Sequence, residues 1–136
     1  MKVKFTIPGI PVPKARPRVV RGHAFTPKKT KDYETLVKDV YRLTVGEYLG
    51  DSAIVATIEL YFPIPASYSK SKKRRIADGE IKHTKRPDVD NCAKAILDAL
   101  NEVAYKDDAQ IVESHITKHY AVDGETRAEV VLEEVF

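Results

Sequence analysis

The chain has 136 residues, 43% of them hydrophobic and 32% charged, which predicts one globular domain over residues 1–136 with a core of its own. It contains no apolar run long enough to span a membrane and no signal-peptide pattern after Met1, so we expect no membrane partner. Cys92 is the only cysteine, which excludes an intrachain disulfide and predicts a reducing, cytoplasmic compartment.

The formal net charge of +3 conceals an asymmetry along the chain. Residues 1–86 carry 19 Lys and Arg against 8 Asp and Glu, a net of +11, whereas residues 87–136 carry 4 against 12, a net of −8. A basic first part joined to an acidic second part is typical of a protein that grips a polyanion and places metal ligands against it.

The first elements are a strand and a proline-rich loop. Residues 2–7 alternate between apolar and polar side chains, which predicts a half-buried strand. Four prolines between Pro8 and Pro17 forbid regular structure and predict a stiff, extended loop. A stiff loop lowers the ordering entropy that its cations lose on meeting phosphates. The alternative is a solvated surface loop. The candidate phosphate contacts are Lys14, Arg16 and Arg18.

A long helix and a second strand follow. Thr26-Pro27 predicts the helix start, with Thr30 as a second candidate cap, and Gly50 predicts its end. Apolar residues between these limits hold the 3.6-residue period of a helix packed on a sheet. Residues 54–62 alternate again and predict a strand that Pro63 and Pro65 terminate.

The most basic segment runs from Ser69 to Arg86, with eight Lys and Arg against two acidic residues. Ser69 or Ser71 can cap a short helix that ends at Gly79. A charge run of this kind is either a mobile solvated loop or a nucleic-acid contact, and its position before an acidic stretch favours nucleic acid. The candidate contacts are Lys72, Lys73, Arg74, Arg75, Lys85 and Arg86.

The acidic stretch begins at Pro87, which biases the chain toward extended backbone at Asp88. Asp90 or Asn91 can then cap a helix whose apolar stripe predicts an end near Tyr105. Lys94, Asp98 and Asn101 fall on a different stripe of this helix.

Three carboxylates around this helix suggest a metal site. Asp88 and Asp90 point to one side of an extended backbone, and at about 5 Å they repel by about 3 kcal/mol at an effective dielectric of ~20. A hard divalent ion resolves such a conflict when oxygen ligands converge. Asp108 can return to the same place after the helix, with Lys94 one turn into the helix beside it. The alternative is a capped helix followed by an acidic turn.

Two strands complete the chain. Residues 109–122 predict a long strand with Val112, Ser114, Ile116 and Tyr120 on one face. His115 and His119 stand about 13 Å apart on such a strand, too far to share one zinc ion. Asp123-Gly124 predicts a tight turn before a last strand with Ala128, Val130 and Leu132. The element order predicts an α+β domain: a mixed sheet of about four strands with helices packed on one face.

Three blocks of the sequence together resemble the RusA-type Holliday junction resolvases, which are small Mg²⁺-dependent crossover junction endodeoxyribonucleases of bacteria and prophages. The blocks are Gly9 to Arg18, then Arg86 to Asn91 with Lys94 and Leu97 to Leu100, then Tyr105 to Gln110. They cover essentially the whole chain in order and spacing. The pair Asp-x-Asp-Asn-x-x-Lys and Asp-Asp-x-Gln is specific, whereas either half alone is weak. Cys92 departs from the pattern, where Leu is more usual, and we expect it to affect packing only.

The resemblance implies roles for individual residues. Asp88, Asp90 and Asp108 are the implied metal-binding catalytic carboxylates, and Lys94 is the implied essential lysine. Mg²⁺ is the implied cofactor, with no organic cofactor. The implied partner is a DNA four-way junction, cut during recombination and repair by a homodimer whose two active sites nick opposite strands. Two alternatives remain: a metal-dependent nuclease with another branched-DNA or RNA specificity, and a non-catalytic DNA-binding module whose acidic cluster only caps a helix.

Overall fold

A mixed four-stranded β-sheet carries the helices and the loops between them. The computed structural model describes residues 1–135, apart from the side chain of Arg18. Its elements are β1 (Lys2–Pro8), β2 (Arg18–Val20), β3 (His23–Phe25), α1 (Lys28–Thr44), β4 (Ala53–Phe62), α2 (Lys70–Ala77), α3 (Val89–Ala99), β5 (Ile111–Tyr120) and β6 (Arg127–Val135).

The sheet order is β1-β6-β4-β5, and β2 and β3 form a separate hairpin. Strand β6 pairs antiparallel with both β1 and β4, whereas β4 and β5 are parallel. A parallel pair requires a crossover connection, and residues 63–110 supply it. Both α2 and α3 therefore belong to one crossover. The predicted α+β class with a mixed four-stranded sheet is confirmed.

One face of the sheet forms the core, because apolar residues alternate along its strands. In β1 the buried positions are Val3, Phe5 and Ile7, and β4 and β6 alternate in the same way. Helices α1 and α3 cover this face through their buried stripes, and they also pack on each other. The intervening side chains of β4, such as Thr57 and Glu59, lie on the opposite face. Among the described residues, no helix is long and apolar enough to cross a membrane.

The boundaries of α1 differ from those predicted. Its N-cap is Pro27, with no side-chain cap, and it ends at Thr44 rather than at Gly50. The chain leaves the helix at Gly46, which has φ 74° and donates its backbone N–H to Tyr41 O at 2.9 Å. That conformation is one glycine adopts without penalty, so Gly46 ends the helix. The Thr30 hydroxyl does not cap the helix because it is buried and bonds to the preceding loop.

The boundaries of α3 were also predicted incorrectly. Asp88 occupies the N-cap position, ahead of Asp90 and Asn91, and the helix ends at Ala99 rather than near Tyr105. Glu102 then adopts φ 65°, and the chain folds back so that the buried Tyr105 hydroxyl donates to Leu97 O at 2.6 Å. The apolar period continues past Ala99 because Val103, Ala104 and Tyr105 pack in the same core, although they no longer belong to the helix.

Strand β5 is shorter than predicted, and one of its residues faces differently. The register with β4 shifts so that both Ile111 and Val112 stand opposite Ile54. This extra residue is a bulge, which leaves Val112 64% exposed instead of in the core. The β2–β3 hairpin was not predicted, because each of its strands is only three residues long. The predicted cap Ser69 is confirmed, since its side chain accepts from Lys72 N at 3.1 Å.

Candidate functional site

Helix α3 presents a row of charged side chains to solvent. Asp88 precedes it on extended backbone (φ −70°, ψ 145°), and its carboxylate makes no capping hydrogen bond to the helix. Asp90, Lys94 and Asp98 then follow at four-residue steps, so neighbours in the row are separated by about 6 Å of helix rise. Asp88, Asp90 and Lys94 are exposed, and Asp98 is half-buried. The row thus alternates acid, base and acid along one side of the helix.

Lys94 lies at the centre of this row. Within residues 1–135, with the Arg18 side chain set aside, no carboxylate lies within 4.0 Å of its ammonium. A lysine ammonium is a strongly hydrated point charge with three donors. Lys94 therefore offers a cation that the described side chains do not neutralise.

Asp108 approaches the far end of the row. It begins a single 3₁₀ turn, Asp108–Gln110, and its backbone N–H donates to Asn101 Oδ1 at 2.7 Å. Burial, followed by hydrogen bonding to and repulsion from Asp98 and Asp107, raises the pKa of Asp108 to about 6. Carboxylates crowded in this way favour binding of a proton or a cation.

Gln110 fixes the turn that carries Asp108. Its Oε1 accepts from Asp107 N at 2.8 Å, and its Nε2 donates to the backbone oxygens of Gly50 and Ser52, both at 2.8 Å. The turn is thereby attached to the chain that leads into β4. This explains why a glutamine follows the two aspartates of the third sequence block.

The proline-rich loop, which we call the proline arm (residues 9–17), packs against the same helix. Lys14 N donates to Asn91 O at 2.9 Å, and Ala15 N donates to Thr30 Oγ1 at 3.1 Å. A cleft of about 490 Å³ remains between the proline arm and α3, and Lys94 and Asp98 line it. The proline arm is therefore a positioned wall of the cleft rather than a free surface loop.

The Lys14 side chain turns inward. Its Nζ lies 2.9 Å from Glu34 Oε1 and 3.4 Å from Asp98 Oδ2. Burial lowers the pKa of Lys14, but hydrogen bonding to and the charges of Glu34 and Asp98 outweigh burial, so the pKa is raised overall. Lys14 thus joins α1 to α3, and its contact with DNA stays a prediction.

The other predicted DNA contacts differ in how far they are already engaged. Lys72 Nζ lies 3.8 Å above the Tyr68 ring, and Lys73 Nζ donates to Ala66 O at 3.3 Å. Arg75 pairs with Glu80 at 3.1 Å. The predicted contact at Arg18 falls on a side chain outside the description of the structure. Four further cations are exposed: Arg16, Arg74, Lys85 and Arg86.

The acidic residues are divided between the two ends of the row. Asp88 and Asp90 lie at its start, whereas Asp108 adjoins Asp98, about 12 Å of helix rise beyond Asp90. In residues 1–135, no group of three or more His, Cys, Asp and Glu is arranged to hold a metal ion. The ligand set of Asp88, Asp90 and Asp108 stays a prediction. Asp98 was not predicted as a site residue, although its position on the Lys94 stripe was visible in the sequence.

His115 and His119 contact two different carboxylates. His115 Nε2 lies 3.2 Å from Glu113 Oε1, and His119 Nε2 lies 2.5 Å from Glu59 Oε2. The two histidines therefore share no partner in the described contacts.

The fold and the site define an α+β domain in which a basic arm faces an acidic helix. The family model described as "Endodeoxyribonuclease RusA" matches residues 8–133. The chain therefore belongs to the RusA endodeoxyribonuclease family, as its three sequence blocks predicted. It is also 37% identical over 139 residues to the uncharacterized protein YqaN of Bacillus subtilis (strain 168), which covers 98% of this chain and 96% of that protein.

Proposed function

We propose that this protein is a Mg²⁺-dependent endodeoxyribonuclease that resolves four-way DNA junctions by paired, symmetric nicks as a homodimer. The charged row on α3 carries the proposal. It sets Lys94, which the described side chains leave without an ion pair, between carboxylates and beside the cleft that the proline arm closes. Membership of the endodeoxyribonuclease family supplies the reaction class.

The donor set fits Mg²⁺ in kind. Every candidate ligand is an oxygen, and Asn101 adds an amide oxygen near Asp108. Hard divalent ions select oxygen donors. Burial and carboxylate crowding raise the pKa of Asp108, so a nearby cation would stabilise its ionised form. We propose Asp88, Asp90 and Asp108 as the residues that hold the ion. Because Asp108 adjoins Asp98, about 12 Å of helix rise beyond Asp90, the proposal requires the Asp108 turn to move toward the start of α3 when the ion binds. When bound, Mg²⁺ supplies a water of lowered pKa and neutralises charge on the reacting phosphate.

The chain's own cations bind and orient the DNA. Lys94 directs a point charge toward the scissile phosphate, where it favours the extra negative charge of the transition state. The exposed cations on the proline arm and in the 70–86 segment contact backbone phosphates without reading bases. Cleavage then leaves a 5′-phosphate and a 3′-hydroxyl.

Paired nicks follow from symmetry. A two-fold homodimer places two copies of the α3 row on opposite sides of a branch point, and a four-way junction has a matching pseudo-two-fold axis. A monomer has one such row and makes one nick for each encounter. Two-fold assembly therefore explains how one small domain resolves a junction.

Replacing Asp90 by Asn tests the assignment. We expect Asp90→Asn to abolish Mg²⁺-dependent cleavage of a synthetic four-way junction and to leave junction binding intact or tighter, because one repulsive charge near the phosphate is removed. The matched control is Asp39→Asn, an exposed aspartate on α1, which should retain wild-type cleavage. Cleavage by purified Asp90→Asn protein at the wild-type rate would refute the assignment.

Substrate preference is tested separately. Cleavage rates are compared on a junction, a flap, a linear duplex and an RNA duplex of equal length. The proposal requires the junction to be cut fastest. A faster rate on the flap or the RNA would support a nuclease but show that the four-way junction is not its preferred substrate. Cleavage that needs no divalent ion would overturn the metal assignment.

A further inference from the structure

An aromatic pocket lies directly beside Asp88, on the other side of Pro87. Its volume is about 420 Å³, and His83, Lys85, Arg86 and Pro87 form the wall nearest the site. Small-molecule pockets fall in the range of about 300–1,000 Å³. Pro87 both lines the pocket and directly precedes Asp88, so the pocket and the site are adjacent along the chain.

Three rings form the inner part of this pocket, which we call the aromatic pocket. His83 stacks on Phe62 with a centroid distance of 4.7 Å and an interplanar angle of 28°. His83 also contacts Tyr120, with a distance of 4.8 Å between the ring centroids and an interplanar angle of 55°. Phe62 and Tyr120 are buried and rigidly placed at the ends of β4 and β5. Phe62 and Tyr120 therefore hold the half-buried His83 ring in place as a flat wall of the pocket.

His83 also brings an unused polar atom to this apolar setting. Its Nδ1 is buried and has no hydrogen-bond partner among the residues that the structure describes. Burial, and then the charge of Lys118, lower the pKa of His83, so its ring is neutral near pH 7. A neutral imidazole has one donor and one acceptor nitrogen. A buried polar atom without a partner is unfavourable unless a ligand satisfies it.

The mouth of the aromatic pocket is positively charged. Lys29, Lys85 and Arg86 lie at its rim, and all three are exposed. Lys118 also lies near the pocket, with its Nζ 6.0 Å from the centroid of the Phe62 ring. An apolar, flat interior with a cationic rim is complementary to a base with its flanking phosphates.

We propose that the aromatic pocket takes one unstacked nucleobase of the DNA substrate, next to the phosphate that is cut beside Asp88. The proposal rests on the proposed function, because it takes the substrate to be DNA. The base packs on the half-buried rings of His83 and Tyr68, and the His83 ring turns so that its Nδ1, buried in the free protein, meets an edge atom of the base. The rim cations contact the phosphates on either side. Bases at a branch point are the least costly to unstack, so the pocket favours branched DNA over a continuous duplex.

An abasic scan tests this inference without altering the protein. Junction affinity is measured without divalent ions, so that no cleavage occurs, for a series of junctions that each lack one base near the crossover. We expect wild-type protein to bind one symmetry-related set of abasic junctions about 10-fold more weakly, because base stacking contributes on this scale. All other positions should bind as the intact junction does. A flat scan overturns the proposal.

A protein variant then links the effect to the pocket. His83→Ala should bind the intact junction about 10-fold more weakly and show no further loss on the sensitive abasic junction, since the same contact has been removed twice. The matched control is His115→Ala, an exposed histidine on β5, which should keep the wild-type abasic response. Circular dichroism confirms that both variants are folded. An abasic response of equal size in His83→Ala and in wild type overturns the proposal.

The two proposals fail differently. If the junction is cut in a Mg²⁺-dependent reaction but no abasic position weakens binding, the base-pocket proposal is refuted and the nuclease proposal is supported. If one set of abasic positions weakens binding in wild type but not in His83→Ala, and no divalent-dependent cleavage occurs, the base-pocket proposal is supported and the nuclease proposal is refuted. Absence of DNA binding in all of these assays overturns both.

Discussion

Replacing Lys14 by Met should lower the free energy of unfolding by about 2–3 kcal/mol. Lys14 Nζ lies between Glu34 and Asp98, and the three side chains are only 19%, 17% and 23% exposed. Breaking a fully buried pair costs about 3–5 kcal/mol, and an exposed pair contributes about 0.2–1 kcal/mol. This site lies between those limits, nearer the buried one. Methionine keeps the apolar stem, so the change reports the lost charge.

Urea unfolding measures this change, with Lys28→Met as the matched control. Lys28 forms a similar pair with Asp32 at 2.7 Å, but the two side chains are 88% and 63% exposed. We expect Lys28→Met to unfold at the wild-type urea concentration. Adding Glu34→Gln to Lys14→Met should recover part of the loss, because one uncompensated carboxylate is then neutral. A Lys14→Met protein as stable as wild type, with a salt dependence of DNA binding reduced by about one phosphate contact, would refute the inward role and favour a DNA contact.

Three further changes probe the supports of the site. Gln110→Ala removes three hydrogen bonds and should lower the free energy of unfolding, measured in urea, by about 2–3 kcal/mol. It should also slow cleavage, because the turn that carries Asp108 is no longer anchored. A loss of stability below about 1 kcal/mol would contradict this. Thr30→Val should speed hydrogen exchange of the Ala15 amide, which donates to the Thr30 hydroxyl at 3.1 Å. An unchanged exchange rate would show that this hydrogen bond does not hold the proline arm. Burial raises the pKa of Cys92 to about 11, so iodoacetamide at pH 8 should label native protein far more slowly than the urea-unfolded chain, and equal rates would contradict that burial.

The strands were the most predictable part of the fold. Alternation in residues 2–7 and 54–62 reports a half-buried sheet directly, and both strands occur as expected. Helix ends were harder to predict, because periodicity continues wherever residues remain in the core. The helical period of α3 continued to Ala104, although the helix ends at Ala99. The bulge at Val112 depends on register with β4, which local sequence does not encode.

The site was predictable in composition but not in arrangement. Spacing predicted that Asp88, Asp90 and Lys94 would share one end of a helix, and the structure places all three there. The sequence spacing did not predict that Asp98 would adjoin Asp108, because that contact depends on how the chain folds back after Ala99. Nor did it predict that Lys14 would turn inward, since Glu34 is 20 residues away in sequence. Contacts between distant segments require the tertiary structure.

The position of β6 has a consequence for how the protein is made. The first strand synthesised, β1, pairs only with β6 among the strands of the sheet, and β6 is the last strand in sequence. A growing chain on the ribosome therefore carries β1 without a neighbour until residues 127–135 have emerged. Until then β4 also has one unpaired edge, and the sheet on which α3 packs is incomplete. Prematurely terminated chains therefore lack the strand that joins β1 to β4, and their unpaired strand edges make them prone to aggregation.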